Sequence, residues 1–567
     1  MKKNIFIGLA WPYANGSLHL GHVAAFMGAD ILARYHRLKG DDVLLVSGSD
    51  CYGTPIAVEA LKQGVAPSAI AEKYHTEFVE TLIEGLNFSY DLYTKTTNET
   101  HARVVQELFL KLKDKGLLYT KVEEALYSPH LGRFLPDRFV EGICPHCKFD
   151  GARGDQCDNC GKLLDALELK DPRINKKIIA EDVSDTELVL EKRETEHFYL
   201  KLSNLEKDLK EWIGNASDSW RLNASSFAKG FLEQGLHDRA VTRDTDWGVS
   251  IPLSGYEDKR IYVWFEAVTG YLSASVLWSE QQKNPDAWEA WWKNNTAKHY
   301  YVHGKDNIPF HTIIWPAILM GEGSLHLPDQ IVSSEYLTLE GQQFSKSRGW
   351  AVWLPDYLKH FDGELLRYFL VTQGPENNDT NFSWDEFQNK INGELIGTYG
   401  NLVNRTFAFV EKNFPEGVTF DESLLSDADK KILQRLEGVF AVAGEHIEEG
   451  KFRQAFREIL SIAEEGNRLL DAKAPWKEIK NEGSRNTVEQ DLALLLHVLH
   501  NLALLFNPLV PHSSEKVFSM LGKGLDSAWE YQKPEPRYTV QNAQALFKKI
   551  EDEEIEFQKN QLHITSA

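Results

Sequence analysis

Pro12-Tyr13-Ala14-Asn15-Gly16-Ser17-Leu18-His19-Leu20-Gly21-His22 sets two imidazoles three residues apart, where an apolar strand-like run gives way to a helical one. Asn15-Gly16 supplies turn chemistry. The spacing puts His19 and His22 on one face of a helix start, whose amides and dipole attract anions. Gly21 lacks a Cβ, so a flat or charged ligand can approach the backbone there. Two imidazoles and free amides suit a phosphate chain. More than three hundred residues later, Gly341-Gln342-Gln343-Phe344-Ser345-Lys346-Ser347-Arg348-Gly349 forms a polar loop. A mobile lysine between hydroxyls can close on a phosphate and neutralise charge that grows as pyrophosphate departs. An isolated His-x-x-His favours solvent-facing histidines, a preference that the strand–turn–helix context reverses, and an ordinary surface loop accounts for the second segment equally well when taken alone.

A third cluster is Cys144-Pro145-His146-Cys147, nine residues, then Cys157-Asp158-Asn159-Cys160. Four thiolates close a tetrahedral shell and leave no open position for substrate, which predicts a structural zinc held by Cys144, Cys147, Cys157 and Cys160. His146 lies inside a knuckle and is not expected as a ligand. Cys51, the fifth cysteine, reads as a free thiol. This usage points to the cytoplasm rather than to secreted disulfides.

These groups need a scaffold. The first 120 residues alternate strand-like and helical runs: Asn4 to Ala10, about Leu20 to Lys39, Asp42 to Ser47. That βαβ rhythm predicts a parallel sheet. Residues 121–230 turn irregular around the cysteines and read as an insertion. Strand signals return at Arg260 to Trp264 and His299 to His303, giving a second catalytic half over 231–325. A connecting segment, 326–385, carries the Ser-Lys-Ser loop. Amphipathic stretches such as Phe456-Ile459-Leu460-Ala463 then predict a helical bundle over 386–540, followed by a tail, 541–567. The acidic run Glu551-Asp552-Glu553-Glu554 reads as a solvated helix face or frayed end.

The chain has 567 residues, 42% hydrophobic and 26% charged, with a net charge of −22. That length predicts three to four units, and the acidic balance disfavours indiscriminate adhesion to polyanions, so any nucleic-acid contact needs a local basic surface. The most apolar run, Leu492 to Phe506, is broken by His497, His500 and Asn501 and reads as a buried helix, not a membrane span.

The His-x-Gly-His element and the late Ser-Lys-Ser loop resemble the two signatures of class I aminoacyl-tRNA synthetases. Gly53-Thr54-Pro55-Ile56, Val263-Trp264-Phe265-Glu266-Ala267, Gly304-Lys305-Asp306 and Trp315-Pro316-Ala317, in that order, are similar to the methionyl-tRNA synthetase family. No Gly-x-x-x-x-Gly-Lys-Ser/Thr or Gly-x-Gly-x-x-Gly motif supports another nucleotide fold. The resemblance implies an α/β architecture: a class I Rossmann-type parallel-sheet catalytic domain split by a zinc-knuckle insertion, then an α-helical anticodon-binding bundle. It implies methionine activation by ATP and transfer to tRNA. His19, His22 and Lys346 are the implied catalytic residues. Further ATP contacts are implied at Asn15, Gly21 and Ser345, and at Gly304, Lys305 and Asp306. The implied methionine pocket draws Ala10, Trp11, Tyr13 and Asp50 from the first half and Trp264, Val268, Tyr271, Asn307 and His311 from the second. Asp50 would pair with the ammonium. Asn401, Arg405 and Trp476 match anticodon-reading positions, where an Arg/Asn pair reads base edges and a Trp stacks on an unstacked base.

The pattern also departs from the family. Gln343 and Phe344 stand for the usual lysine and methionine, Trp11 for an aliphatic residue, Val268 for proline and Asn307 for isoleucine. Alternatives are a synthetase for Ile, Val or Leu, which the short insertion opposes, and a zinc-containing RNA-binding or regulatory paralogue, which the intact His19, His22 and Lys346 oppose. Expected partners are tRNA(Met), ATP with Mg²⁺, and methionine, with no membrane and no DNA. The absence of a further β-rich module predicts a monomer.

Overall fold

Strand β1 (Asn4–Leu9) feeds two cores, Ile5, Ile7 and Leu9 into one and Phe6 into the other, because successive strand side chains alternate. Burial on both faces is what a parallel sheet requires. In this computed structural model β1 pairs in parallel with β2 (Asp42–Ser49) and β4 (Lys298–Gly304), while β3 (Leu92–Lys95) and β5 (Gln330–Ser334) complete the order β5-β4-β1-β2-β3. The structure describes all residues except 1, 137–138, 155–156, 158, 161–163, 176–188, 346–348, 482, 526–527 and 566–567, and no side chains at 563–565. Helix α1 (Leu20–Leu38) joins β1 to β2, so the crevice at the carboxyl ends of β1 and β4 is the topological switch point, where open α/β sheets bind ligands.

Between β3 and β4 lie helix α2 (Glu99–Asp114), the insertion and helix α3 (Val263–Gln281). The insertion opens on a long antiparallel pair, Leu118–Ser128 with Glu191–Leu200. At its far end Phe139, Val140, Ala152 and Ile174 form a small core around Cys144 and Cys157. The strand expected at Arg260 to Trp264 is only two residues long, Arg260–Ile261, and α3 takes over at Val263. Tyr262 caps it, its carbonyl accepting from the amides of Phe265 and Glu266. Because α3 is packed nearly all round, its sequence lacks an amphipathic period and reads as strand.

Helix α4 (Gly363–Gln373) leads into the bundle, whose helices include α5 (Asn401–Asn413), α6 (Phe452–Lys473) and α7 (Arg485–Phe506). Helix α7 is buried, and two of the polar residues that interrupt its apolar run are hydrogen-bonded: His497 bonds the hydroxyls of Tyr538 and Tyr531 at 3.0 and 2.8 Å, and Asn501 bonds the backbone of Gln532, while the His500 ring packs edge-on against Phe518. The C-terminal segment folds back as α8 (Asp552–Thr565). The acidic run is mostly exposed at its start, but Ile555 and Leu562 are buried, Lys559 pairs with Asp385 at 2.7 Å and Phe557 packs on His360.

One buried cation ties these parts together. Arg367 on α4 donates to Asp30 of α1 (2.7 Å), to the carbonyl of Leu86 (3.1 Å), and to those of Pro508 and Leu509 beyond α7 (2.9 and 2.8 Å). Burial opposes charge on Asp30, yet Arg34, Arg367 and the Ser89 donors hold its carboxyl below the usual range. Arg367→Ala leaves Asp30 to Arg34 and Ser89 alone and takes the buried donor from the carbonyls of Leu86, Pro508 and Leu509, and we expect a loss of about 3–5 kcal/mol in denaturant unfolding; a loss under 1 kcal/mol would remove Arg367 from this role.

Candidate functional site

His19 is not on the face of α1: it is the N-cap. Its Nδ1 accepts from the amide of Gly21 (3.2 Å), and Nδ1 of His22 accepts from the amide of His19 (3.1 Å), so two imidazoles do the work of a capping box. Their rings lie 3.8 Å apart. A Cβ at Gly21 would sit 3.0 Å from the His19 ring, so this glycine makes room for the imidazole itself. The late loop meets the same place. Phe344 stacks on His19 at 4.6 Å and 8°, the amide of Leu20 donates to the carbonyl of Val352 (3.2 Å), and that of Leu354 donates to Leu18 (2.8 Å). Ser345 exchanges both backbone bonds with Trp350, at 2.9 and 3.0 Å, which closes the turn. Lys346 lies outside the described residues. Asn15 sits in the turn before His19, its amide bonded to the carbonyl of Tyr13. Gly304 ends β4 and precedes a short helical turn, Lys305–Asn307. There Lys305 pairs with Glu335 (2.8 Å) and Asp379 (2.7 Å) and lies over the Tyr336 ring, whose hydroxyl bonds Asp306.

The expected amino-acid residues gather at the adjacent strand ends. The amide of Ala10 donates to Val302 (3.0 Å), and Tyr13 and Asp50 form a parallel bridge that joins the ends of β1 and β2. Asp50 is buried; desolvation and the nearby charge of Glu266 push its carboxyl pKa well up. Trp11 lies with its indole against Gly48 of β2 and Gly270 of α3, where the missing side chains make space for a ring in place of an aliphatic group. Tyr271 fits beside Gly8, where a Cβ would lie 2.9 Å from its ring. Its hydroxyl donates to Nε2 of His311 (2.7 Å), while Nδ1 of His311 donates to the carbonyl of Asn307 (2.8 Å), which fixes one tautomer. Burial keeps this imidazole neutral, its pKa near 4. Val268 is buried on the same helix. Trp264 is 47% exposed and packs edge-on against Phe310, so it stands at the rim.

The four knuckle sulfurs lie within 4.8 Å of one another. The pairs Cys144–Cys160 and Cys147–Cys157 are separated by 3.9 and 3.5 Å, too far for disulfides and close to the ~3.8 Å that tetrahedral Zn–S bonds of about 2.3 Å require. The side chain of Asn159 and the amide of Phe149 lower the Cys147 thiol to about 6, which favours the thiolate. The donor set fits zinc. In the bundle, Asn401 opens α5 and Arg405 follows one turn later, its guanidinium 4.9 Å over the Trp476 ring and 2.6 Å from Asp471. Ala474, at φ 39°, ends α6 and turns Trp476 toward α5.

The family described as tRNA synthetases class I (M) matches residues 5–407, and that described as the anticodon binding domain of methionyl tRNA ligase matches 419–565. The chain belongs to the class I (M) tRNA synthetases. It is similar to the methionine–tRNA ligase of Dehalococcoides mccartyi, 46% identical over 560 residues that cover 98% of this chain and 99% of that one. The methionine–tRNA ligase of Bacillus mycoides is also 46% identical, over 562 residues and 99% of both chains. A crystal structure of Mycobacterium tuberculosis methionyl-tRNA synthetase bound by methionyl-adenylate shares the fold, with a TM-score of 0.79 over 96% of this chain and 100% of that one, at 24% identity.

Several residues of this synthetase's site carry no signal in the sequence. Phe344 replaces a familiar residue, yet only the fold shows its ring on His19. Gly48 and Gly270 look like ordinary strand and helix glycines. His101 of α2 is buried against Glu266 and has no motif around it. A Cβ at Gly270 would lie 2.9 Å from the Trp11 indole. Gly270→Ala should therefore cost about 1–3 kcal/mol of stability by overpacking, and Trp11→Leu in that background should return most of it in thermal unfolding; equal losses in both backgrounds would show that Trp11 is not what Gly270 accommodates.

Proposed function

We propose that this synthetase activates methionine and loads it onto tRNA. A methionine carboxylate oxygen attacks the α-phosphorus of ATP, the bond to the β-phosphate oxygen breaks, and pyrophosphate leaves. A hydroxyl of the tRNA's terminal ribose then attacks the acyl carbon of methionyl-adenylate and AMP departs. The observation that carries this reading is the meeting of the two signatures at one crevice, through the Phe344–His19 stack and the Leu18–Leu20 backbone bonds, within a chain that matches methionine–tRNA ligases along its whole length.

No covalent enzyme intermediate is needed, so the protein's task is alignment and charge stabilisation. In this reading His19 and His22 face the triphosphate with Lys346, and Asn15, Gly21 and Ser345 line the same side. Gly304, Lys305 and Asp306 flank the nucleotide. ATP must then compete with Glu335 and Asp379 for Lys305, and Lys346 must compensate for the charge absent at Gln343. Mg²⁺ bound to ATP would supply counter-charge to the phosphates. Asp50 receives the ammonium, and Ala10, Trp11, Tyr13, Trp264, Val268, Tyr271, Asn307 and His311 enclose the thioether side chain, with soft sulfur–ring contacts from Tyr13 and Trp264. One structural zinc on Cys144, Cys147, Cys157 and Cys160 holds the end of the insertion together. Asn401, Arg405 and Trp476 read the anticodon of tRNA(Met). The units run 1–120 and 231–325 for the catalytic halves, 121–230 for the insertion, 326–385 for the connecting segment, 386–540 for the bundle and 541–567 for the tail. We read the working form as a cytoplasmic monomer.

Methionine-dependent ATP–pyrophosphate exchange tests this directly. Methionine should drive exchange, whereas isoleucine, valine and leucine should not. Trp476→Ala should lower tRNA charging by about tenfold, as the loss of one base stack worth 1–3 kcal/mol implies, with exchange nearly unchanged. Exchange driven by another amino acid, or by none, overturns the substrate; equal damage to both assays overturns the role of Trp476.

A further inference from the structure

The amino-acid end of the crevice holds two buried carboxylates with no Lys or Arg paired to either among the described residues. Asp50 is 3% exposed and Glu266 0%. The titratable groups around them are Tyr13, Cys51, Tyr52 and His101. Two ionised carboxylates in such a place repel each other and lose their hydration, so one of them carries a proton.

Hydrogen-bond direction says which. Ser273 Oγ lies 3.1 Å from the carbonyl of Gly270, which only accepts, and a hydroxyl proton directed there leaves Oγ to accept from His101. Nδ1 of His101, 2.8 Å from Ser273 Oγ, is then the donor in its own bond. Burial holds this imidazole neutral, with a pKa near 3, so Nε2 presents a lone pair. Glu266 Oε2 lies 2.7 Å from that nitrogen, and the proton between them belongs to the carboxyl. The other oxygen, Oε1, is buried with no hydrogen-bond partner, which a neutral carboxyl tolerates far better than a carboxylate. Glu266 does sit in the first turn of α3, where the helix dipole favours negative charge. One helix start is nevertheless worth much less than burying an unpaired charge. Trp11 covers the unit, its indole 6.3 Å from the His101 ring.

We propose that Ser273, His101 and Glu266 form a proton-holding unit that keeps Glu266 neutral, so that Asp50 alone carries the negative charge that meets the substrate's α-ammonium. The three are positioning residues acting through Asp50. The proposal rests on the reading of this crevice as the methionine pocket. If Glu266 surrendered its proton, its charge would raise the proton affinity of Asp50, and Asp50 would neutralise in its place.

Ser273→Ala removes the acceptor for Nδ1–H. It thereby favours the tautomer that donates to an ionised Glu266 and sends the proton to Asp50. The KM for methionine in pyrophosphate exchange should rise at least fivefold while that for ATP stays constant. Adding Glu266→Gln, which cannot ionise, should recover most of that loss. Infrared spectra of the wild-type protein should contain the C=O stretch of a buried carboxylic acid, above the amide I band, that disappears in Glu266→Gln. Multiplying losses in the double variant, or absence of that band from the folded wild type, overturns the proposal. The band does not depend on activity: if it is present but another amino acid drives exchange, the substrate reading fails and the proton assignment stands.

Discussion

The Leu18–Leu20 segment and the Val352–Leu354 segment exchange backbone hydrogen bonds across more than three hundred residues of chain, and the site depends on that join. Without it, the helix start that carries two imidazoles and the loop that carries the late lysine belong to separate parts of the molecule. The join occurs at the switch point of the parallel sheet, between β1 and β4. The start of α1, its first amides taken up by His19 and Val352, and side chains from both halves of the sheet converge there. An aromatic stack such as that of Phe344 on His19 adds about 0.5–1.5 kcal/mol, a small energy that acts on the orientation of a single ring.

Charge is arranged differently at the two ends of the crevice. On the proposed nucleotide side, Lys305 is partly exposed and held by two carboxylates. On the proposed amino-acid side the groups are buried and desolvation governs their protonation: it holds His101 and His311 neutral and raises the carboxyls of Asp50 and Glu266. A low-dielectric pocket with one negative charge suits a ligand that brings one ammonium and an apolar side chain.

Much of this was legible in the residues. The run from Asn4 to about Leu38 reads as strand and helix because apolar spacing and the Asn15-Gly16 turn agree with the tertiary context. The cysteine spacing alone predicts four convergent sulfurs, and the buried helix ending at Phe506 follows from its continuous apolar content. Other features depend on contacts between distant segments. The α3 start looks like a strand because a helix buried on most of its faces has no clear period. The N-cap position of His19 follows from where the helix begins, which residue spacing does not specify. The space that Gly48 and Gly270 leave for Trp11, the Ser273–His101–Glu266 chain and the docking of α8 on the connecting segment have no local pattern at all.

The most direct test of the account is the pre-steady-state rate of methionyl-adenylate formation in Phe344→Ala, measured by rapid quench at saturating methionine and ATP. If the late loop acts by holding His19 at the nucleotide, adenylate formation should slow about two- to tenfold, as the loss of one such stack implies, while methionine binding measured without ATP stays as in the wild type. An unchanged rate of adenylate formation would contradict the claim that the joined signatures form the catalytic centre.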